Sequence, residues 1–260
     1  MTEWPEIARF RRTLAAGALN RRIAKVDLVD PNRLRGSRPE DLGAALTGFH
    51  FTDPRQHGKL LALRVSCGWQ LVLTPGPQGD LVLLAEDAAQ PEAARLALHF
   101  ADGGGLVLAD ARGLSAIELT DDLAVTLRSQ GIGPDATEMS AADFAALMAR
   151  QGGVLKATLI DQARIAGLGH LYADEALFQA GLAPTRRPCD LDAAAVQRLH
   201  DTIHSILSDA VAFAGPKGEV PAHWLMARRE GAATCPRCDT PLVQDMVGGQ
   251  TTRACPRCQT

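Results

Sequence analysis

A stripe of apolar residues at helical spacing follows directly after the amino terminus. Ile7, Phe10 and Leu14 succeed one another at intervals of three and four, and Pro5 stands where a helix would begin. Acidic residues flank this proline, at the end of a helix where the free backbone N–H groups favour negative charge. The pattern predicts an amphipathic helix that opens almost at residue 1 and holds the terminal amino group in place.

Short apolar runs then recur between turn signals up to about residue 125. Their lengths, and the breaks at small or glycine-rich joints such as 66–68 and 103–105, are typical of strands. The predicted strands lie in RIAKVDLVD, KLLALRVS, WQLVLTP, LVLLAED, RLALHFAD, GLVLADAR and AIEL. We therefore expect a β-sandwich in this part of the chain.

The apolar period becomes helical in the second half. Ser140, with Asp143 three residues later, is typical of a capping box. The predicted helices lie in AADFAALMARQ, VLKATLIDQARI, LYADEALFQAGL and AAAVQRLHDTIHSILSDAVAFA. We predict an α+β multidomain chain with an N-terminal β-sandwich over 1–128 and a helical domain over 129–216. A third part, over 217–260, consists of a Gly- and Pro-rich linker loop and the C-terminal cysteines.

Composition adds limits but not a function. No apolar run approaches the roughly 20 residues that span a bilayer, and no signal peptide precedes the first helix, so we expect a cytoplasmic protein. The net charge of -3 hides an asymmetry. Residues 1–70 hold twelve basic and seven acidic residues, a net of +5, whereas residues 80–125 hold two and nine, a net of -7. A basic face for an anion and ordinary surface variation both fit these numbers.

The segment CPRCDTPLVQDMVGGQTTRACPRC contains two identical cysteine pairs separated by sixteen residues. This spacing allows a hairpin to fold one pair onto the other around one tetrahedral Zn²⁺, held by Cys235, Cys238, Cys255 and Cys258. Four thiolates leave no open coordination position, so the predicted zinc is structural. Two disulfides or free thiols are the alternative. The two other cysteines, Cys67 and Cys189, stand alone.

A sharp turn is predicted in LIDQARIAGLGHLYADEALFQAGLAP. Gly167 and Gly169 lie between two helices, and the second helix opens at His170 or Leu171. Glycine allows a tight turn and close approach, and the free N–H groups of a helix start attract phosphate. The segment fits a helix-turn-helix with an anion seat, and also an ordinary helical hairpin.

Taken together, these parts resemble the formamidopyrimidine-DNA glycosylase and endonuclease VIII family along the whole chain. MTEWPEI resembles the family's MPELPEV start, and GIGPDA resembles its LGPDPL between domains. LIDQARIAGLGHLYADEALFQAG is similar to its helix-two-turn-helix, and CPRC with CPRCQ to its zinc finger. The resemblance implies an N-terminal β-sandwich, a helix-two-turn-helix domain and a C-terminal zinc-binding β-hairpin.

The resemblance implies chemistry at the amino terminus. Family members flip a damaged base from the duplex and attack the sugar with an N-terminal proline amine. Thr2 stands in place of that proline and, if Met1 is removed, presents a primary amine with a pKa of roughly 8. Glu3 and Glu6 match two carboxylates that work beside the amine, although acids also complement a helix start. Lys59 matches a lysine that reaches the phosphate and lesion, or is a solvated strand residue.

The family's wedge is altered in this sequence. Asp110 and Arg112 in LADARGLSA match DPRRFG, in which an Arg and a Phe fill the gap left by the flipped base. Gly113 and Leu114 replace the second Arg and the Phe, so Leu114 becomes the apolar wedge. Pro77 occupies the position of a void-filling Met.

Further DNA contacts follow from the resemblance. Lys156 resembles a lysine near the DNA backbone, or lies on a solvated helix face. His170 stands where the family has a phosphate-binding Asn, beside Gly167 and Gly169. Gln250 stands where the zinc hairpin normally carries an Arg that binds phosphate, so we expect weakened DNA affinity.

We expect a base excision repair enzyme, a DNA glycosylase or abasic-site lyase that uses the Thr2 amine or a water activated by Glu3 or Glu6. Two alternatives are a damaged-DNA-binding protein of the same fold that does not cut, and a zinc-stabilised interaction module without DNA. The implied cofactor is one structural Zn²⁺ per chain. The implied partner is damaged or abasic DNA, bound by a monomer at the nucleoid, with no membrane association.

Overall fold

The computed structural model describes residues 2–214, 218–228 and 233–260. The chain divides into two compact units, Met1–Gln130 and Gly131–Thr260. Within the part of the chain that is described, no helix is both long and apolar enough to cross a membrane.

The first unit begins with helix α1, Trp4–Gly17, as predicted. Ile7, Phe10 and Leu14 are fully buried, so the apolar stripe faces the core. Pro5 lies in the first turn, where its missing N–H costs no helical hydrogen bond. The unit also contains α2, Pro39–Leu46, and α3, Leu123–Ser129.

Two sheets form the β-sandwich of this unit. The strands are β1 Ile23–Leu28, β2 Leu34–Arg35, β3 Phe51–His57, β4 Leu60–Val65, β5 Gln70–Thr74, β6 Asp80–Leu84, β7 Ala94–Phe100, β8 Gly105–Ala109 and β9 Ala116–Thr120. One sheet has the order β1-β7-β8-β6 and the other β2-β9-β5-β4-β3. All neighbours pair antiparallel except β2 and β9. Side chains from α1 and both sheets share one buried apolar core.

The seven predicted strands are all present, and the structure adds two strands and two short helices. Strand β3 has the sequence FTDPRQH, in which the polar residues and Pro54 leave no apolar pattern that would predict a strand. It is the outermost strand of its sheet, where a proline leaves no ladder hydrogen bond unmade. Edge position therefore explains why this strand can be so polar.

The described residues of the second unit form four α-helices and a hairpin. They are α4 Ala141–Ala149, α5 Leu155–Ile160, α6 His170–Ala180, α7 Ala193–Ala210, β10 Val243–Val247 and β11 Gln250–Ala254. The hydroxyl of Ser140 accepts a hydrogen bond from Asp143 N at 3.1 Å, which confirms Ser140 as the N-cap. The Asp143 carboxylate accepts from this hydroxyl at 2.6 Å, so the second bond differs from that of a capping box. Helix α5 ends at Ile160, before the predicted end near 165. The helices and the cysteine hairpin belong to the same compact unit.

Two aromatic rings, one from each end of the Gly- and Pro-rich linker, are in contact. Phe213 and Trp224 meet edge to face with centroids 5.0 Å apart, and Trp224 is buried. Residues 215–217 of the linker lie outside the described residues.

Candidate active site and nucleic-acid interface

Thr2, the first residue that the structure describes, is held against the loop between β5 and β6. Thr2 N donates to Pro77 O at 3.1 Å, and the Thr2 hydroxyl lies 2.9 Å from Gly76 O and 3.2 Å from Gly79 O. Thr2 is only 8% exposed. The side chain that replaces the family's proline is thus fixed through its hydroxyl, which proline lacks.

Two carboxylates lie directly after Thr2. Glu3 is the N-cap of α1 and is fully buried, and Glu6 is the third residue of the helix. Glu3 N donates to Glu6 Oε2 at 2.9 Å, and the two residues form a capping box. Glu3 and Glu6 therefore cap the start of α1, and the same arrangement places both acids beside Thr2.

Lys59 lies in the turn just before β4, and it interacts electrostatically with the acids of the same helix start. Burial lowers the pKa of Lys59, while the charges of Glu3 and Glu6 act in the opposite direction. Gln56 Nε2 fixes the preceding turn, because it donates to Trp4 O at 2.9 Å and Gly58 O at 3.2 Å. The terminus, both acids and the lysine therefore gather in one cluster.

The loop over residues 110–115 presents the predicted wedge. Burial raises the pKa of Asp110, but hydrogen bonds from the backbone N–H groups of Ser115, Leu114 and Arg112 outweigh it, so the net pKa lies below its ordinary value. The Leu114 and Ser115 donors lie 2.6 Å from Asp110 Oδ2, and the Arg112 donor 3.1 Å from Oδ1. The Asp110 carboxylate thus organises the loop from inside. Leu114 is 50% exposed and Arg112 is also exposed, so both lie on the outer surface.

The wedge loop contacts the loop that holds Thr2. A Cβ added to Gly76 would lie 2.7 Å from Asp110 Oδ2, closer than any side chain permits. Gly76 is therefore required for this contact, while its carbonyl oxygen accepts from the Thr2 hydroxyl. In space, only Gly76 lies between Thr2 and Asp110, the residue at the base of the wedge loop.

The helix-two-turn-helix has the predicted turn. Gly167, with φ of 111°, and Gly169, the N-cap of α6, are buried, and α6 begins at His170, which is half-buried. Gln162 braces the turn, because its Oε1 accepts from Gly167 N at 3.0 Å and its Nε2 donates to Leu168 O at 2.6 Å. Sequence reasoning missed Gln162, since a lone glutamine in a turn carries no signal.

Lys156 is not where the sequence placed it. The side chain is fully buried, with Nζ 2.7 Å from Asp174 Oδ1 of α6 and 2.6 Å from Thr252 Oγ1 of β11. Nζ also donates to Thr251 O at 3.2 Å. The expected contact with the DNA backbone and the solvated helix face are both wrong for this structure. Instead, Lys156 joins the two helices of the turn motif to the cysteine hairpin.

Glu175, adjacent to Asp174, is a second buried acid that sequence reasoning missed. Its carboxylate accepts from Leu225 N at 3.2 Å and Met226 N at 2.9 Å. Burial raises the pKa of Glu175, and these hydrogen bonds oppose the rise. Glu175 thus fixes the segment that follows the linker loop. Two adjacent acidic residues in a mostly apolar helix were the available signal.

The four hairpin cysteines form a metal site. Their Sγ atoms all lie within 4.8 Å of one another, with separations such as 3.9 Å for Cys235–Cys258 and 3.5 Å for Cys238–Cys255. Sulfurs at the corners of a zinc tetrahedron lie about 3.8 Å apart, so the geometry fits. Arg237 N and Cys258 N donate to Cys235 Sγ and Cys255 Sγ, which stabilises thiolates. The site is a closed, structural zinc site, and zinc there would hold the hairpin together without activating water.

The hairpin tip carries Gln250. Gly248 and Gly249 both have positive φ, as a two-residue turn requires, and Gly248 lies against Ala157 of α5. Gln250 is exposed at the start of β11. Cys67 and Cys189 are exposed and take no part in the metal site.

Similarity to known proteins agrees with this architecture. The sequence model of the formamidopyrimidine-DNA glycosylase N-terminal domain matches residues 1–117, and that of the formamidopyrimidine-DNA glycosylase H2TH domain matches residues 131–219. The chain is similar to formamidopyrimidine-DNA glycosylases from Heliobacterium modesticaldum, at 33% identity over all of both chains, and Symbiobacterium thermophilum, at 32% over all of this chain and 89% of that one.

Solved structures give the same result. A Lactococcus lactis formamidopyrimidine-DNA glycosylase in complex with a FAPY-dG containing DNA superimposes with a TM-score of 0.89, at 26% identity over 99% of both chains. The same protein non-covalently bound to an AP site containing DNA gives a TM-score of 0.87, also at 26% identity over 99% of both chains. Fold and site therefore define a helix-two-turn-helix protein with an N-terminal β-sandwich and a zinc hairpin. The chain belongs to the formamidopyrimidine-DNA glycosylase family.

Proposed function

We propose that this protein is a DNA glycosylase and abasic-site lyase of base excision repair, acting as a monomer on damaged DNA. The nucleophile is the α-amine of Thr2 after removal of Met1, or a water molecule activated by Glu3 or Glu6. The observation that carries the proposal is the cluster of Thr2, two carboxylates and Lys59 in a chain whose relatives are formamidopyrimidine-DNA glycosylases.

The cluster has the groups that each step needs. An α-amine is partly neutral near pH 8, so its lone pair is available while a neighbouring carboxylate takes its proton. Attack forms an N–C1′ bond as the bond from C1′ to the base breaks, and the carboxyl group that took the proton of the amine returns it to the departing base. Ring opening then gives an imine, whose protonated form acidifies C2′. The carboxylate removes the C2′ proton as the bond from C3′ to the phosphate oxygen breaks.

Thr2 differs from proline in the intermediate that it forms. A proline imine is permanently charged, because its nitrogen carries no hydrogen to lose. A threonine imine is charged only while protonated, so elimination depends on a nearby proton source. The protonated Lys59 and a protonated Glu3 or Glu6 are the groups that would supply it. We therefore expect the rate of strand cleavage to be lower than the rate of base removal.

The surface residues support DNA binding in a weakened form. Leu114 supplies an apolar wedge and Arg112 a cation beside it, and His170 lies half-buried at the start of α6, directly after the glycine turn. Gln250 contributes no charge at the hairpin tip. We infer a lower affinity and a weaker salt dependence than a hairpin arginine would give.

A non-cutting damaged-DNA-binding protein is the second candidate. The observation that favours it is the set of hydrogen bonds at Thr2, whose hydroxyl is bound to Gly76 and Gly79. A terminus held in this way can serve structure alone. Binding needs only the wedge, the glycine turn and the hairpin.

Single-turnover cleavage of a duplex with one abasic site separates the two candidates. Glu3→Gln keeps the capping hydrogen bonds and removes the charge, so we expect it to lower the rate by at least about tenfold. Glu40→Gln, a change at the exposed start of α2, is the matched control and should leave the rate unchanged.

Thr2→Pro tests the rest of the site in the same assay. If cleavage increases, the machinery beyond residue 2 is competent. Binding without cleavage by the parent protein and by Thr2→Pro would instead support the non-cutting candidate.

A further inference from the structure

The outer carbonyl groups of the wedge loop are held by two arginines from elsewhere in the first unit. Arg95 Nε of β7 donates to Asp110 O at 2.8 Å, and its Nη2 lies 3.5 Å from Ala111 O. Arg33 Nη1, from the turn before β2, donates to Gly113 O. The inside of the loop is satisfied by the Asp110 carboxylate, so these guanidinium groups complete it from the outside.

A single acid orients both arginines. The Asp30 carboxylate lies 3.3 Å from Arg33 Nε and 3.9 Å from Arg95 Nη1. Asp30 also caps its own turn by accepting from Asn32 N at 3.1 Å, and Asp30 N donates to Arg95 O at 3.2 Å. The strand, the turn and both side chains are therefore joined at one point.

The loop needs support of this kind because of its sequence. Gly113 has φ of 61°, in the left-handed region that residues other than glycine rarely adopt. Glycine also leaves the backbone of the loop more flexible at this position than another residue would. Leu114, next in the chain, is 50% exposed, so burial does not fix the direction of its side chain. The Arg95 guanidinium lies within 3.7 Å of the place that a Cβ of residue 113 would take. That distance is an ordinary van der Waals contact, so the positive φ, and not a clash with Arg95, is what favours glycine at position 113.

We infer that Asp30, Arg33 and Arg95 are positioning residues that hold the 110–115 loop so that Leu114 enters the base stack. This inference rests on the proposed function. The guanidinium forks act through the backbone of the loop and do not touch the reacting atoms. Their effect on DNA should therefore pass through Leu114.

The test combines substitutions at Arg95 and Leu114. Arg95→Gln removes the guanidinium group that binds the loop carbonyls. Arg21→Gln is the control. The Arg21 side chain is 27% exposed, close to the 24% of Arg95, but it pairs with Asp102, away from the loop. Affinity for a duplex with an abasic site analogue is measured by fluorescence anisotropy. In the parent and in Arg21→Gln, we expect Leu114→Ala to weaken binding on the order of tenfold. In Arg95→Gln, the same change should cost less than about twofold.

Hydrogen exchange of the free protein gives a readout that needs no DNA. The amides of Leu114 and Ser115 should exchange at least about tenfold faster in Arg95→Gln than in Arg21→Gln, because the loop is released. An unchanged exchange rate, or an undiminished effect of Leu114→Ala in Arg95→Gln, overturns the inference while the proposed function stands. If the parent protein neither binds nor cuts the duplex, the proposed function fails, and the exchange rates alone then decide whether the brace orders the loop.

Discussion

The buried pair of Lys156 and Asp174 gives the sharpest stability prediction. Both side chains are 0% exposed, and their charged atoms lie 2.7 Å apart. Lys156→Met leaves the Asp174 carboxylate buried without its partner, which costs about 3–5 kcal/mol of unfolding free energy. The pair of Arg164 and Asp161 is the control, since both are 39% exposed and such a pair contributes less than about 1 kcal/mol.

Guanidinium unfolding followed by tryptophan fluorescence measures the effect. Trp224 is the one tryptophan of residues 131–260, so replacing Trp4 and Trp69 by phenylalanine leaves a reporter for that unit. We expect the transition of Lys156→Met to move to much lower denaturant, and that of Arg164→Met to move little.

A double substitution separates charge from packing. Lys156→Met with Asp174→Leu removes both charges and should recover most of the lost stability, because a buried ion pair is often replaced by apolar residues at little cost. A loss below about 1 kcal/mol in Lys156→Met would refute the buried role of the lysine. It would instead support a side chain that faces solvent or DNA.

Three further predictions concern charge and metal. Because burial lowers the pKa of Lys59 below its ordinary 10.5, the folded protein loses this proton before the unfolded chain does. The unfolding free energy should therefore rise with pH between the folded pKa and 10.5, and a pH series of denaturation should show no such rise for Lys59→Met. Gln250→Arg should tighten DNA binding and steepen the plot of log affinity against log salt by about 0.9, measured by anisotropy at several salt concentrations; an unchanged slope would place residue 250 away from phosphate. Cys255→Ser should release zinc and lower the unfolding midpoint reported by Trp224, whereas Cys67→Ser should retain about one zinc per chain in a dye assay.

The parts of the fold that depend on residues near in sequence could be predicted from the sequence. The stripe of Ile7, Phe10 and Leu14 predicted α1, because a helix buries positions three and four apart. The Ser140 cap and the CPRC spacing were equally direct, since each depends on residues that are near in sequence.

Long-range pairing limited the rest. Lys156 cannot be distinguished from a solvated lysine until α6 brings Asp174 beside it and β11 brings Thr252. Strand β3 is defined by its partner β4 and not by its own polar sequence. The brace on the wedge loop joins Asp30 to residues more than sixty positions away, so no sequence window contains it.

The most direct test of the central claim is borohydride trapping on DNA with an abasic site, followed by mass spectrometry of the crosslinked peptide. Reduction converts an imine into a stable amine, so the attacking nitrogen is identified. The account predicts an adduct on the α-amine of Thr2 in protein that lacks Met1. An adduct on Lys59, or no adduct on a duplex that the protein binds and cuts, would contradict attack by the Thr2 amine.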